Sequence, residues 1–209
     1  MYTLYGSQGS GSAAVEAALE MAQLPYRIVD AASWAPGSAI EELQRLNPLA
    51  QIPTLALPDG HVLTESAAIL IHLGLMHPDS PLLPAEPATR AQCLRGLVFI
   101  AANCYAAVGI ADYPQRWCVG GGETARDRVR RGARVRLHRY WEMFADEFPV
   151  RPFLSGKAPG GLDLLAGVVS KWSGTRAHLQ TARPDFLATL QRIESQPRIA
   201  AVFARHWDV

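Results

Sequence analysis

The stretch NPLAQIPTLALPDGHVLTESAAILIHL, positions 47 to 73, holds the residues whose types and spacing suit a binding site. Pro53 has no N–H and cannot sit inside a sheet ladder, so it belongs at the mouth or the edge of a strand. Glu65 and Ser66 precede AAILIHLGLM and are the acidic and capping sorts of residue that open a helix. One exposed backbone edge and one helix N-terminus, about a dozen residues apart in the chain, make a place for recognition by backbone pairing and by charge. Plain helix capping is the competing role for Glu65-Ser66.

The elements that must position these residues fall into two halves. In the first 76 residues, YTLY (2–5) and YRIV (26–29) read as strands, while SAAVEAALEMAQL (12–24) and SAIEELQRL (38–46) read as helices. The latter must end near Asn47, because Pro48 disfavours the helical region for the residue before it. TLAL and HVL flank Pro58-Asp59-Gly60 and form an antiparallel hairpin. ESAAILIHLGLM (65–76) closes the half as a helix. The order β-α-β-α-β-β-α implies a parallel strand pair with a right-handed crossover, extended by the hairpin. Residues 77–88 carry four prolines and read as a linker. Beyond them, helical patterns cover 89–111, 123–148, 161–172, 184–195 and 198–206, so residues 89–209 read as an all-helical domain.

The 209 residues suffice for a sizeable core. A net charge of +1 gives no reason to expect nucleic acid or an acidic partner. No apolar run is read as approaching a membrane span of roughly 18 residues, and MYTLYGSQ lacks the features of a signal peptide. Cys93, Cys104 and Cys118 show no CxxC and no metal-ligand spacing. The expectation is a cytoplasmic protein with reduced, mostly buried thiols and no metal. Seven arginines between Arg126 and Arg139 (126, 128, 130, 131, 134, 136, 139) scatter round their helix, as a solvated or subunit-contacting surface would.

With NPLAQIPTL followed at the right distance by LTESAAI, the chain resembles the glutathione S-transferase superfamily over essentially its whole length. The resemblance implies an α/β thioredoxin-like N-terminal domain (1–76) and an all-α C-terminal domain. It implies that Pro53 follows a cis bond and that the Ile52 backbone pairs with the cysteinyl part of glutathione. Ser66 would take the α-carboxylate, Glu65 the ammonium, and Gln51 would lie against the tripeptide. FLSGKAPGGLDLL resembles the family's capping box, with Asp163 kept as a structural residue and Gly160 in place of the usual hydroxyl. A homodimer is implied, with helix 65–76 against the partner's 89–111 helix.

In the family the thiol is activated near the first strand's end or the first helix's start. The place of the bacterial catalytic cysteine falls on Gly11, and no cysteine lies in the first 92 residues. Three hydroxyls compete, in the order Ser10, Ser12, Tyr5, with a loop backbone N–H as the alternative. Ser12 also suits the helix N-cap. Tyr105, Tyr113 and Trp117 are the expected lining for an electrophile. The implied activity is conjugation of glutathione, a substrate and not a resident cofactor, to a small hydrophobic electrophile, with no metal. A glutathione-dependent isomerase of the maleylacetoacetate isomerase type is the runner-up, although its Ser-Ser-Cys motif is missing. A glutathione or hydrophobic-ligand binder without catalysis is the third reading.

Overall fold

The computed structural model describes residues 1–207. Strand β1 (Tyr2–Gly6) lies between β2 (Tyr26–Asp30), to which it is parallel, and β3 (Thr54–Ala56), to which it is antiparallel. Strand β4 (Val62–Leu63) pairs antiparallel with β3 and completes the order β2-β1-β3-β4. Helix α1 (Ser12–Met21) is the crossover between the two parallel strands, α2 (Ile40–Leu46) precedes the hairpin, and α3 (Ser66–Met76) follows it. Alternation along β1 decides which side chains meet which helix. Leu4 joins Val15 and Leu19 in the main core, whereas Tyr5 turns to the opposite face with Ala31 and Leu43.

After Met76 the described chain is helical: α4 (Pro87–Phe99), a π-helical turn (Ile100–Tyr105), α5 (Ala106–Asp112), a short 3-10 turn (Pro114–Arg116), α6 (Glu123–Glu147), α7 (Gly161–Val169), α8 (Thr175–Ala182), α9 (Pro184–Glu194) and α10 (Pro197–His206). The fold is thus a thioredoxin-like α/β unit followed by a helical one. One apolar cluster joins them, running from Leu4 and Leu19 through Ile69, Leu70 and Leu73 to Leu97, Trp141, Phe144, Leu162 and Leu165.

Three expectations need correction. Helix α4 starts inside the proline-rich stretch, at Pro87, because Glu86 caps it: its carboxylate accepts from the Ala88 N–H at 2.8 Å and the Thr89 N–H at 2.6 Å. Helix α8 lies where the sequence shows no helical pattern; TRAHLQTA is mostly polar and buries only Thr175 and Leu179. The continuous helix Pro87–Asp112 is long and apolar enough to cross a membrane by length and composition, contrary to the reading of no such run. Polar residues such as Asn103 interrupt the run without offsetting the apolar ones around them. Here Cys93, Leu97, Ile100 and Cys104 of that helix are buried in the common core.

Three of the seven arginines of α6 pair with acids on their own helix: Arg126 and Arg130 with Glu123, Arg130 with Asp127, and Arg139 with Glu142. Asp163 is fully buried and accepts from the N–H groups of Leu154, Ser155 and Gly160 at 2.8, 2.9 and 3.0 Å. Gly160 is no defect of the cap. A Cβ there would stand 2.7 Å from both the Pro81 carbonyl oxygen and the Ser155 hydroxyl, so the close approach of residues 81–82 requires glycine.

Candidate functional site

The edge beside Pro53 is shaped by a small polar knot. The buried Asn47 donates its amide N–H to the Gln51 carbonyl and the Thr54 hydroxyl, both at 3.0 Å, and Thr54 in turn donates to the Gln51 carbonyl at 2.9 Å. The Ile52–Pro53 peptide bond is cis. Among the described residues neither the N–H nor the C=O of Ile52 takes part in a hydrogen bond, and the Gln51 side chain is exposed. A pair of free backbone groups next to the end of an antiparallel ladder is what an extended peptide needs in order to add itself to the sheet.

Glu65 and Ser66 open α3, but they do not cap it through side chains. Glu65 occupies the N-cap with φ 63 and ψ 106, and its carboxylate makes no capping hydrogen bond. A positive φ is costly for a residue with a Cβ, on the order of 1–3 kcal/mol, and such strain clusters at functional sites. Ser66 is buried, yet its hydroxyl bonds to no other described residue. An exposed acid over a helix start with free N–H groups can hold both halves of an amino-acid zwitterion: the cation on Glu65, the carboxylate on the N-terminus of α3.

The loop between β1 and α1 places the expected hydroxyls differently. Gly11, not Ser12, is the N-cap of α1. Ser10 and Ser12 are buried and hydrogen-bond to each other at 2.8 Å. The Ser7 carbonyl lies 2.8 Å from the Ser10 hydroxyl and 3.2 Å from that of Ser12, so one serine donates to it while the other donates within the serine pair, and Ser12 accepts from the Ser7 N–H. Each hydroxyl has one proton, and the loop itself provides acceptors for both. Tyr5 points to the far face of the sheet, where it donates to Glu42 at 2.5 Å. All three hydroxyls named from the sequence are engaged in holding the fold.

A fourth hydroxyl reaches the start of α1 from the helical half. Tyr105 closes the π-helical turn, and its ring lies against Trp172 with centroids 5.5 Å apart. A methyl group on Gly11 would collide with the Tyr105 hydroxyl oxygen and stand 3.1 Å from the ring carbon that bears it. Burial first, then the charges of Asp112, Glu65 and Tyr113, push the Tyr105 phenol up to about 12. Tyr113 lies at the same end, with the Arg116 guanidinium 4.3 Å above its ring. Trp117 does not join them; it is 63% exposed and stacks on no described aromatic ring. Sequence reasoning missed the Gly11–Tyr105 contact, Trp172, and the bond from the Gly9 N–H to His206 Nδ1 at 3.2 Å that ties the loop to α10. The glycine run at 6, 9 and 11 was the one signal that something approaches closely there. Among the described residues no cluster of metal-ligating side chains exists.

Residues 12–75 match the model of the glutathione S-transferase N-terminal domain. A probable glutathione S-transferase of Zea mays, BZ2, is 31% identical over 180 residues, covering 80% of this chain and 72% of its own. An uncharacterized GST-like protein of Escherichia coli, YncG, is 29% identical over 211 residues, covering 99% of this chain and 98% of its own. Among solved structures, a glutathione transferase homolog from Sulfitobacter with bound glutathione superposes with a TM-score of 0.83, covering 97% of this chain and 96% of that one at 23% identity.

Proposed function

The chain belongs to the glutathione S-transferase family, and from that premise we propose that it conjugates the glutathione thiolate to a small hydrophobic electrophile. The observation that carries the reading is the pairing of an unsatisfied Ile52 backbone with the strained, uncapped Glu65-Ser66 start of α3. Glutathione has the complementary parts in the complementary order: a cysteinyl backbone for Ile52, and a γ-glutamyl carboxylate and ammonium for Ser66 with the helix N-terminus and for Glu65. Gln51 borders the same edge. The second substrate would meet Tyr105 and Tyr113. Holding a thiolate against an electrophilic carbon in a fixed pose is a large part of what such a site must supply. The molecule works as a homodimer in this reading.

Calorimetric titration with glutathione tests the binding half. Glu65→Ala removes the ammonium's partner and is expected to weaken binding by about 1.5–3 kcal/mol, roughly 10- to 100-fold. Unchanged affinity with an intact fold removes Glu65 from the site. Turnover of a chloronitroarene alongside that of a cis-alkenoic diacid separates conjugation from isomerisation, and binding without either identifies a binder.

A further inference from the structure

The hydroxyls of Ser10, Ser12 and Tyr5 are committed within the fold, whereas that of Tyr105 makes no hydrogen bond to any described residue. We propose that Tyr105, reaching from the helical half onto Gly11 at the start of α1, is the hydroxyl that stabilises the glutathione thiolate and is therefore a catalytic residue. The inference rests on the glutathione reading above and adds to it the identity of the activating group.

The geometry supports it at each point. The phenol oxygen occupies the space that any side chain at position 11 would need, directly over the N-cap of a helix of ten residues. The partial positive charge of that helix end favours an anion in the same place. In the glutathione reading the γ-glutamyl end is held at Glu65 and the cysteinyl backbone at Ile52, and the proposal places the sulfur between them at the start of α1, under the Tyr105 phenol. The ring is fixed by Trp172 on the helical side and by Gly11 on the sheet side, which limits the reorganisation needed to meet the sulfur. It closes a π-helical turn, a feature frequent at functional sites. Burial first, and the nearby Asp112 and Glu65 after it, raise the phenol so that it stays protonated throughout the neutral range and remains a donor.

The step balances simply. The bound thiol releases its proton to water; the thiolate sulfur accepts the Tyr105 O–H and stays nucleophilic. A lone pair on sulfur then forms the S–C bond to the electrophilic carbon, and the leaving group departs with the electrons of the bond that breaks. Tyr105 is unchanged at the end.

The test is the ultraviolet thiolate absorbance of the protein–glutathione complex as a function of pH, together with kcat/KM for a chloronitroarene. Tyr105→Phe removes one oxygen and keeps the ring against Trp172. It is expected to raise the bound-thiol pKa by about one to two units and to lower kcat/KM roughly 10- to 100-fold, with affinity nearly unchanged at acidic pH, where the bound thiol is protonated in parent and variant alike. A Tyr105→Phe complex with the parent's thiol pKa and rate overturns the assignment while leaving the glutathione reading standing. So does a Ser10→Ala variant that raises the thiol pKa when Tyr105→Phe does not. A parent protein that fails to bind glutathione overturns both, and the titration shows that before any variant is made. Equal melting temperatures for parent and variant exclude a folding defect as the cause of a lost rate.

Discussion

Glu65 carries the clearest tension between folding and binding in the chain. Its φ of 63 places a Cβ in a region that glycine enters freely. Glu65→Gly is therefore expected to relieve about 1–3 kcal/mol of strain, against which the looser unfolded chain costs about 0.4–1 kcal/mol. The net expectation is a variant between as stable as the parent and about 2.5 kcal/mol more stable, read as a higher urea midpoint, that binds glutathione as poorly as Glu65→Ala. A variant clearly less stable than the parent contradicts the claim that Glu65 is held there under strain. Gly11 makes the opposite case at the same scale. Gly11→Ala puts a methyl into the Tyr105 hydroxyl, so it should cut the rate in the parent and far less in a Tyr105→Phe background. Such coupling between neighbours is what a double-mutant cycle measures.

At the scale of elements, α1 is positioned by its contact with α10. The buried Glu16 accepts from His206 Nε2 at 2.7 Å and from the Arg205 guanidinium, while His206 Nδ1 accepts the Gly9 N–H. Burial by itself raises the Glu16 carboxyl, but the hydrogen bonds from His206 and Arg205 outweigh it and hold it below its ordinary value of 4.5. A carboxyl with a depressed folded pKa contributes stability that is complete above its unfolded value and is lost as pH falls through the folded one. Stability from this pair is thus expected to decline on acidification below about pH 4.5, and Glu16→Gln should flatten that part of the profile. At neutral pH the same substitution should cost about 2–3 kcal/mol, because it removes the buried carboxylate that accepts from both Arg205 and His206 and leaves Arg205 only the more exposed Glu20. Denaturant midpoints across the acid range check both statements.

The elements also mark what could be read from the chain beforehand. Ile52-Pro53 and Glu65-Ser66 were legible because proline chemistry, a tight turn and a helix start all lie within one short stretch, and their spacing is local. Helix α8 was not, since a polar helix that buries little beyond Leu179 leaves almost no periodic signal. The serines lie in the loop before α1 as expected, but whether a hydroxyl is free depends on which carbonyls surround it, and sequence does not carry that. Tyr105 was named as lining only. Its meeting with Gly11 depends on how the two halves dock, a long-range contact set by the common core.

For the whole molecule, that shared core makes the two halves one mechanical unit. Glycines allow close approaches within it: a Cβ on Gly74 would stand 2.5 Å from Leu83, and one on Gly96 would stand 2.8 Å from Leu162. The surface leaves Leu75, Met76 and Val98 exposed on α3 and α4, the helices proposed to meet across a two-fold axis. Sedimentation at micromolar concentration is expected to show a dimer, and Val98→Glu is expected to shift it toward monomer by placing a charge in an apolar contact. A parent protein that sediments only as a monomer removes the homodimer from the reading.

The contact between Gly11 and Tyr105 also constrains descent. A cysteine introduced at position 11 would meet the phenol head-on, and a lost phenol with glycine retained would leave the helix start bare. Neither single change passes through a well-formed intermediate. Positions 11 and 105 are therefore expected to change together among relatives, glycine at 11 accompanying the phenol at 105.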